Sequence, residues 1–153
     1  MADTTVWSNF AHAGRPRLVE RAFPTVASPP AVVDEIEVGV RLGYLPDRDW
    51  TFVRRIAMSE REIERARELG ARLGAGEAES IAVALLRRGL LLTDDRPARR
   101  VAKDLGVRVS GTLGVLVGLV DAGHLAANRA DRLLARMIEV GYRSPVGSLS
   151  RLL

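Results

Sequence analysis

The feature that most constrains this chain is the run Gly89-Leu90-Leu91-Leu92-Thr93-Asp94-Asp95-Arg96-Pro97. A short, unbroken apolar segment behind a glycine, followed by a basic stretch with an early proline, reads as a buried strand that turns straight into a helix. A strand without polar alternation belongs to a parallel sheet covered on both faces. In open α/β folds ligands bind at the carboxyl ends of the strands, which is where Asp94 and Asp95 would stand. Asp3 near the start of the chain, Glu35 on an early helix and Glu77 in Gly76-Glu77-Ala78-Glu79 have comparable settings. Carboxylates far apart in sequence that one sheet can gather point to a hard cation, because Mg2+ and Mn2+ prefer oxygen ligands.

The rest of the chain supports that architecture. Ala2 to Val6 reads as extended, with a helix starting near Trp7 and broken at Gly14-Arg15-Pro16. Phe23 to Ala27 suits a short strand, and Ser28-Pro29-Pro30 starts a helix whose apolar stripe runs through Val32, Ile36 and Val40 to Gly43. Trp50 to Ala57 reads as extended, and Ser59 with Glu62 forms a capping-box pattern at the head of the next helix. A helix over Glu77–Arg88, the strand Leu90–Thr93, a helix from about Pro97 to Leu105 and the strand Val107–Val109 follow. The apolar segment from Ser110 to Ala122 predicts a central buried helix, with a strand as the alternative for its valine-rich part; in a helix Gly114 and Gly118 would let a neighbour approach closely. A last amphipathic helix, from Asn128 or Ala130 to Val140, precedes a tail with one more short helix. Strands alternating with helices predict a single α/β domain over residues 1–153, its central parallel sheet covered on both faces.

Composition narrows the chemistry. A chain that is 47% hydrophobic and 27% charged is expected to be a soluble globular protein. The absence of cysteine excludes disulfides, thiolate zinc sites and cysteine nucleophiles. No signal-peptide pattern is present, so a cytoplasmic location is expected. Leu113 to Val120 is too short to span a bilayer, and no membrane role is expected. The net charge is +4, and Lys103 is the only lysine among 23 basic residues. Guanidinium forks match phosphate, which fits a nucleic-acid partner, although the same arginines also suit solvated helix faces. Gly-x-Gly-x-x-Gly, P-loop and Gly-x-Ser-x-Gly patterns are missing, and neither His12 nor His124 has a second histidine at ligand spacing.

Each acid also has a structural reading. Asp3 suits a cap at the end of the first strand, and Glu35 a solvated helix face. Glu77 sits in a first helical turn, where the macrodipole favours an acid. Asp95 suits an N-cap. The set says more than its members.

Read together, several segments resemble PIN-domain proteins. Asp3-Thr4-Thr5-Val6-Trp7-Ser8-Asn9-Phe10 is similar to their opening, and Pro30-Ala31-Val32-Val33-Asp34-Glu35-Ile36 to their second motif. Gly76-Glu77-Ala78-Glu79-Ser80-Ile81-Ala82 resembles the third, and Leu92-Thr93-Asp94-Asp95-Arg96-Pro97-Ala98-Arg99 the fourth, with Thr93 and Asp95 on its Thr-x-Asp pair. The segments from Val109 to Leu116 and from Met137 to Pro145 are similar to a subgroup of predicted nucleic-acid-binding proteins of the VapC toxin type. The third acid is Glu77, where other PIN groups carry aspartate.

The resemblance implies a three-layer α/β/α sandwich and a divalent-metal-dependent endoribonuclease, the toxin of a toxin–antitoxin pair. On that basis Asp3, Glu35, Glu77 and Asp95 are expected to be catalytic and to hold Mg2+ or Mn2+, with Asp94 as a further ligand or outer partner. Thr4, Thr5 and Thr93 are expected to orient the carboxylates. Arg96, Arg99 and Arg100, and more weakly Arg15 and Arg17, are expected to hold RNA phosphates. A small antitoxin partner is implied by the resemblance alone, and a homodimer by the habit of small domains of pairing about a two-fold axis. The rival expectation is a non-catalytic PIN-like module that binds RNA or protein through a degenerate site. A phosphorylatable receiver domain fits less well, because Asp3 stands alone and Lys103 falls within a helix.

Overall fold

The computed structural model describes all 153 residues. Two three-residue strands, β1 (Leu90–Leu92) and β2 (Arg108–Ser110), pair in parallel with Leu91 opposite Val109. On the other side of β1, Ala2 bridges Leu92 in parallel, and the Ala2 N–H donates to the Ala27 carbonyl at 3.0 Å. Ser28 in turn bridges Arg55 in parallel. Five short segments thus lie side by side, the third in chain order outermost, then the second, the first, β1 and β2. Neighbours leave the first segment in opposite directions, so the gap between residue 2 and β1 is a topological switch point.

Helices supply most of the remainder: α1 (Thr4–His12), α2 (Leu18–Ala22), α3 (Pro30–Arg41), α4 (Glu60–Leu69), α5 (Ala75–Leu86), α6 (Arg96–Asp104), α7 (Thr112–Asp121) and α8 (Ala127–Glu139), with a 3-10 turn at Leu149–Arg151. The structure is therefore a helix-rich α/β fold around a small parallel sheet. The extended piece expected over Ala2–Val6 is corrected at its second half. Asp3 accepts from the Thr5 and Val6 N–H groups and caps α1, so the helix begins at Thr4.

The two faces of β1 feed separate cores. Leu92 belongs to the larger one, with Val6, Trp7 and Phe10 of α1, Val115, Leu116 and Leu119 of α7, and Leu134 and Met137 of α8. Leu91, its neighbour, belongs to a smaller core with Ile81 and Ala84 of α5 and Ala98 and Ala102 of α6. Successive strand side chains point to opposite faces, which is why the Leu-Leu-Leu run has no polar alternation. Trp7 is fully buried, and its indole N–H donates to Ser28 Oγ at 2.8 Å; Ser28 Oγ donates to the Ala2 carbonyl at 2.7 Å. That chain of bonds ties α1 to the first two segments of the sheet.

Helix starts are held by side chains from elsewhere in the chain. The first turn of α3 has no cap of its own behind Pro29, and Glu79 of α5 accepts from the Ala31 N–H at 2.8 Å. Ser59 and Glu62 form the predicted capping box on α4, and the nearly buried Glu62 carboxylate also pairs with Arg87 at 2.6 Å. In α7 the glycine expectation is corrected. A Cβ at Gly118 would meet nothing within 4 Å, and one at Gly114 would strike only the Ser110 hydroxyl. The two glycines do not form a helix-packing stripe.

Candidate active site

The acidic residues are delivered by four elements. Asp3 stands at the end of the first segment, Glu35 in the middle of α3, Glu77 in the first turn of α5, and Asp95 between β1 and α6. All four sit around the carboxyl ends of the first segment and β1, at the switch point.

Asp3 is buried, 2% exposed, and every contact of its carboxylate is with a hydroxyl or a backbone N–H. The Thr5 hydroxyl donates to Oδ1 at 2.6 Å and itself accepts from the Asp94 N–H at 2.9 Å. Thr93 repeats the arrangement: its hydroxyl donates to Asp3 Oδ2 and accepts from the Asp95 N–H at 3.1 Å. Two threonines thus lock Asp3 to the backbone that carries the next two acids. Burial pushes its carboxyl up to about 6, against the pull of these hydrogen bonds, and the neighbouring Asp94 adds a smaller push.

Glu35 is held by the Thr4 hydroxyl and by the Gly76 N–H at 3.0 Å, the latter in the first turn of α5 where the helix dipole favours an anion. Gly76 permits this, since a Cβ there would lie 2.5 Å from Glu35 Oε1. Glu77 is half-buried, and its carboxyl is raised by burial first, then by the charges of Glu35 and Asp95. Asp95 caps α6 through the Ala98 N–H at 2.8 Å.

Asp94 turns elsewhere. Its oxygens accept from Asn9 Nδ2 at 3.0 Å, from the Thr112 N–H at 3.0 Å and hydroxyl at 2.5 Å, and from the Tyr142 hydroxyl at 3.4 Å. It fixes α7 and the segment after α8 to the end of β1. Gly111 makes room, because a Cβ there would strike the Asp94 carboxylate and come 3.0 Å from the Thr93 carbonyl. Asn9, Thr112 and Tyr142 were not singled out from the sequence. All three lie in segments that resemble the family's, but nothing in those segments marks them as partners of Asp94.

None of Asp3, Glu35, Glu77, Asp94 or Asp95 forms an ion pair; the four salt bridges use Glu20, Asp34, Glu62 and Glu68. No three acidic or histidine side chains stand close enough to hold one metal ion between them. Glu77 nevertheless feels the charges of Glu35 and Asp95, and Asp3 that of Asp94. The acids thus stand at one edge with no direct ion pair among them.

The arginines divide. Arg99 Nη1 donates to the Thr93 and Ser110 carbonyls at 2.7 and 2.9 Å, bracing the ends of β1 and β2. Arg96, Arg99, Tyr142 and Arg143 line a cavity of about 310 Å³ beside Asp94. Arg100 is exposed on α6. Arg15 and Arg17 line cavities that contain none of the five acids, and Arg17 lies 4.7 Å above the Phe52 ring.

The sequence model of the PIN-domain family matches residues 1–153, the whole chain. The chain belongs to the PIN-domain family. PIN domains are typically nucleases, so the acidic edge of this PIN domain is the natural place to look for chemistry. No curated protein matches the chain. No solved structure matches it. No helix of this PIN domain is long and apolar enough to cross a membrane.

Proposed function

We propose that this PIN-domain chain is a divalent-metal-dependent endoribonuclease that hydrolyses RNA phosphodiesters, of the VapC toxin type, acting in the cytoplasm with a small antitoxin as partner. We read its architecture as a three-layer α/β/α sandwich, supported by the separate cores on the two faces of β1. The observation that carries the activity is the set of carboxylates at the switch point that form no ion pair, with Glu77 raised by burial and by the charges of Glu35 and Asp95. Such a set suits a hard dication, whose charge would offset the repulsion.

Asp3, Glu35, Glu77 and Asp95 would hold Mg2+ or Mn2+ partly through water, since no three of them stand within direct reach of one ion. When bound, the cation supplies charge neutralisation at the scissile phosphate and activation of water. The chain's own residues do the positioning. Thr5 and Thr93 hold Asp3 by both carboxylate oxygens, Thr4 and the Gly76 N–H hold Glu35, and Asp94 anchors the wall formed by α7. Hydrogen bonds that orient these carboxylates would fix the position of a cation held between them and the substrate. Arg96 and Arg143 face the cavity beside this edge and would take flanking phosphates.

Asp95→Asn tests the reading, because asparagine also caps helices and should leave α6 intact. Mn2+ should raise the melting temperature of the wild-type chain and support RNA cleavage, and D95N should lose cleavage and most of the shift. Full-rate cleavage by D95N, or cleavage in excess chelator, would defeat the proposal. A second reading, a binding module with no bound metal, is favoured by the lack of any three acids within reach of one ion. It predicts no Mn2+-dependent shift at all.

A further inference from the structure

A strongly basic cavity lies away from the acids. About 530 Å³ of space is bordered by Arg15 and Arg21, around α2, and by Arg129, Arg132 and Arg136 of α8. His124 completes the polar lining, and no aspartate or glutamate takes part in it. All five arginines are exposed, and none forms an ion pair. Ion pairs form only at Arg17, Arg55, Arg65 and Arg87, none of which borders this cavity. Five like charges around one space repel one another and are stabilised by an anion between them.

The helices give the location. α1 and α7 both start at the acidic edge, with Asp3 capping one and Asp94 bonded to Thr112 at the head of the other. Ala13 and His124, just past their far ends, line the arginine cavity. At about 1.5 Å per residue, nine- and ten-residue helices put the two sites about 15 Å apart along the helix axes, at opposite edges of the sheet. α8 runs back between them, since Tyr142 beyond its end reaches Asp94. Its Arg129, Arg132 and Arg136 fall at helical spacing on one face, while Ala130, Leu134 and Met137 face the core. Those three guanidinium groups form a row about 10 Å long by the same helical rise. A row of that length suits successive phosphates of an extended chain better than one isolated anion.

We propose that the cavity between α2 and α8 is a second, non-catalytic phosphate-binding site that holds the backbone of a single-stranded RNA away from the acidic edge. That the ligand is RNA rests on the nuclease reading above; that the site binds phosphate does not. Guanidinium forks supply bidentate contacts to phosphate oxygens without reading base sequence, so the site should be indifferent to sequence and sensitive to salt.

The test is binding of a fluorescent RNA oligonucleotide, and separately of tripolyphosphate, to the full chain in chelator, where nothing is cleaved. Arg132→Ala with Arg136→Ala, and independently Arg15→Ala with Arg21→Ala, should each weaken RNA binding at least tenfold. Each pair should also flatten the slope of log affinity against log salt by about 1.4, at roughly 0.7 per lost phosphate contact. Two pairs on opposite walls guard against one of them unfolding the chain. Tripolyphosphate bound by the wild type and lost in both pairs, with RNA binding unchanged, would keep the phosphate site and overturn the RNA strand as its ligand. Unchanged affinity for both ligands, or no binding of either by the wild type, would overturn the site itself. The nuclease reading is read separately, by RNA cleavage in Mn2+, so a failed nuclease reading and a failed arginine site give different results.

Discussion

Asp3 shows how one residue can be both well bonded and costly. Its carboxyl is raised to about 6 by burial, so between the ordinary aspartate value and 6 the folded chain holds a proton that the unfolded chain has released. Stability from this group is therefore greatest in acid and falls as pH rises through that window, by about 3 kcal/mol for a shift of this size. Asp3→Asn should remove the dependence. In urea melts with chelator, the advantage of the variant over wild type should grow between pH 4 and 6 and then level off. A constant difference across that range would show that Asp3 titrates normally. Thr93 tests the same network. Thr93→Val keeps the shape but strips a hydrogen bond from Asp3 and another from the Asp95 N–H. A loss of about 1–3 kcal/mol is expected, the cost of buried groups left unpaired. Ser80 is the opposite case, a buried hydroxyl with no partner, so Ser80→Ala should be neutral or slightly stabilising in the same melts.

Between elements, the informative contacts join helices through single side chains. Glu35 of α3 sits on the first turn of α5 only because residue 76 has no Cβ. Alanine is the better helix former by about 1 kcal/mol, and the group it would displace is the mobile end of a side chain. Gly76→Ala should therefore leave stability unchanged or improve it, while moving Glu35 and reducing metal-dependent cleavage. A fully active variant would remove the Glu35–Gly76 contact from the mechanism. The Glu62–Arg87 pair ties α4 to the end of α5 and works in the opposite pH direction to Asp3. The Arg87 guanidinium holds the Glu62 carboxyl below its ordinary value. Its stabilisation is complete above the unfolded-state pKa and is lost as pH falls through the folded one. Arg87→Met should cost stability at neutral pH and progressively less as pH falls through the lowered Glu62 value, where wild type loses the pair as well.

At the scale of the whole molecule, the acid cluster and the arginine cavity lie at opposite ends of α1 and α7. Carboxylates gather at the carboxyl ends of the central segments, and arginines at the far ends of α1 and α7. A net charge of +4 conceals this arrangement. Mn2+ should therefore stabilise the chain through one edge and polyanions through the other, and the two effects on melting temperature should add, as they do for independent sites. Strong mutual interference would mean that both ligands compete for one region.

Much of this was legible in the residues. The Leu90–Leu92 strand, the capping box at Ser59 and the placing of Glu77 in a first helical turn follow from local physics: apolar continuity, a hydroxyl three residues before a glutamate, an acid at a helix start. Asp95 was readable both as a cap and as a candidate ligand. The start of α1 was misplaced because Asp3 was read as the end of a strand, when its side chain also opens the helix. What local pattern cannot contain is partnership across the chain. The bond from Thr93 to Asp3 spans 90 residues, Asp94 is claimed by Asn9, Thr112 and Tyr142, and five arginines from two separate stretches border one cavity. Sequence alone determined which residues carry charge and which segments coil or extend, because those depend on near neighbours. Tertiary structure alone decided which charges meet, because that follows from the order in which five short segments lie in a sheet.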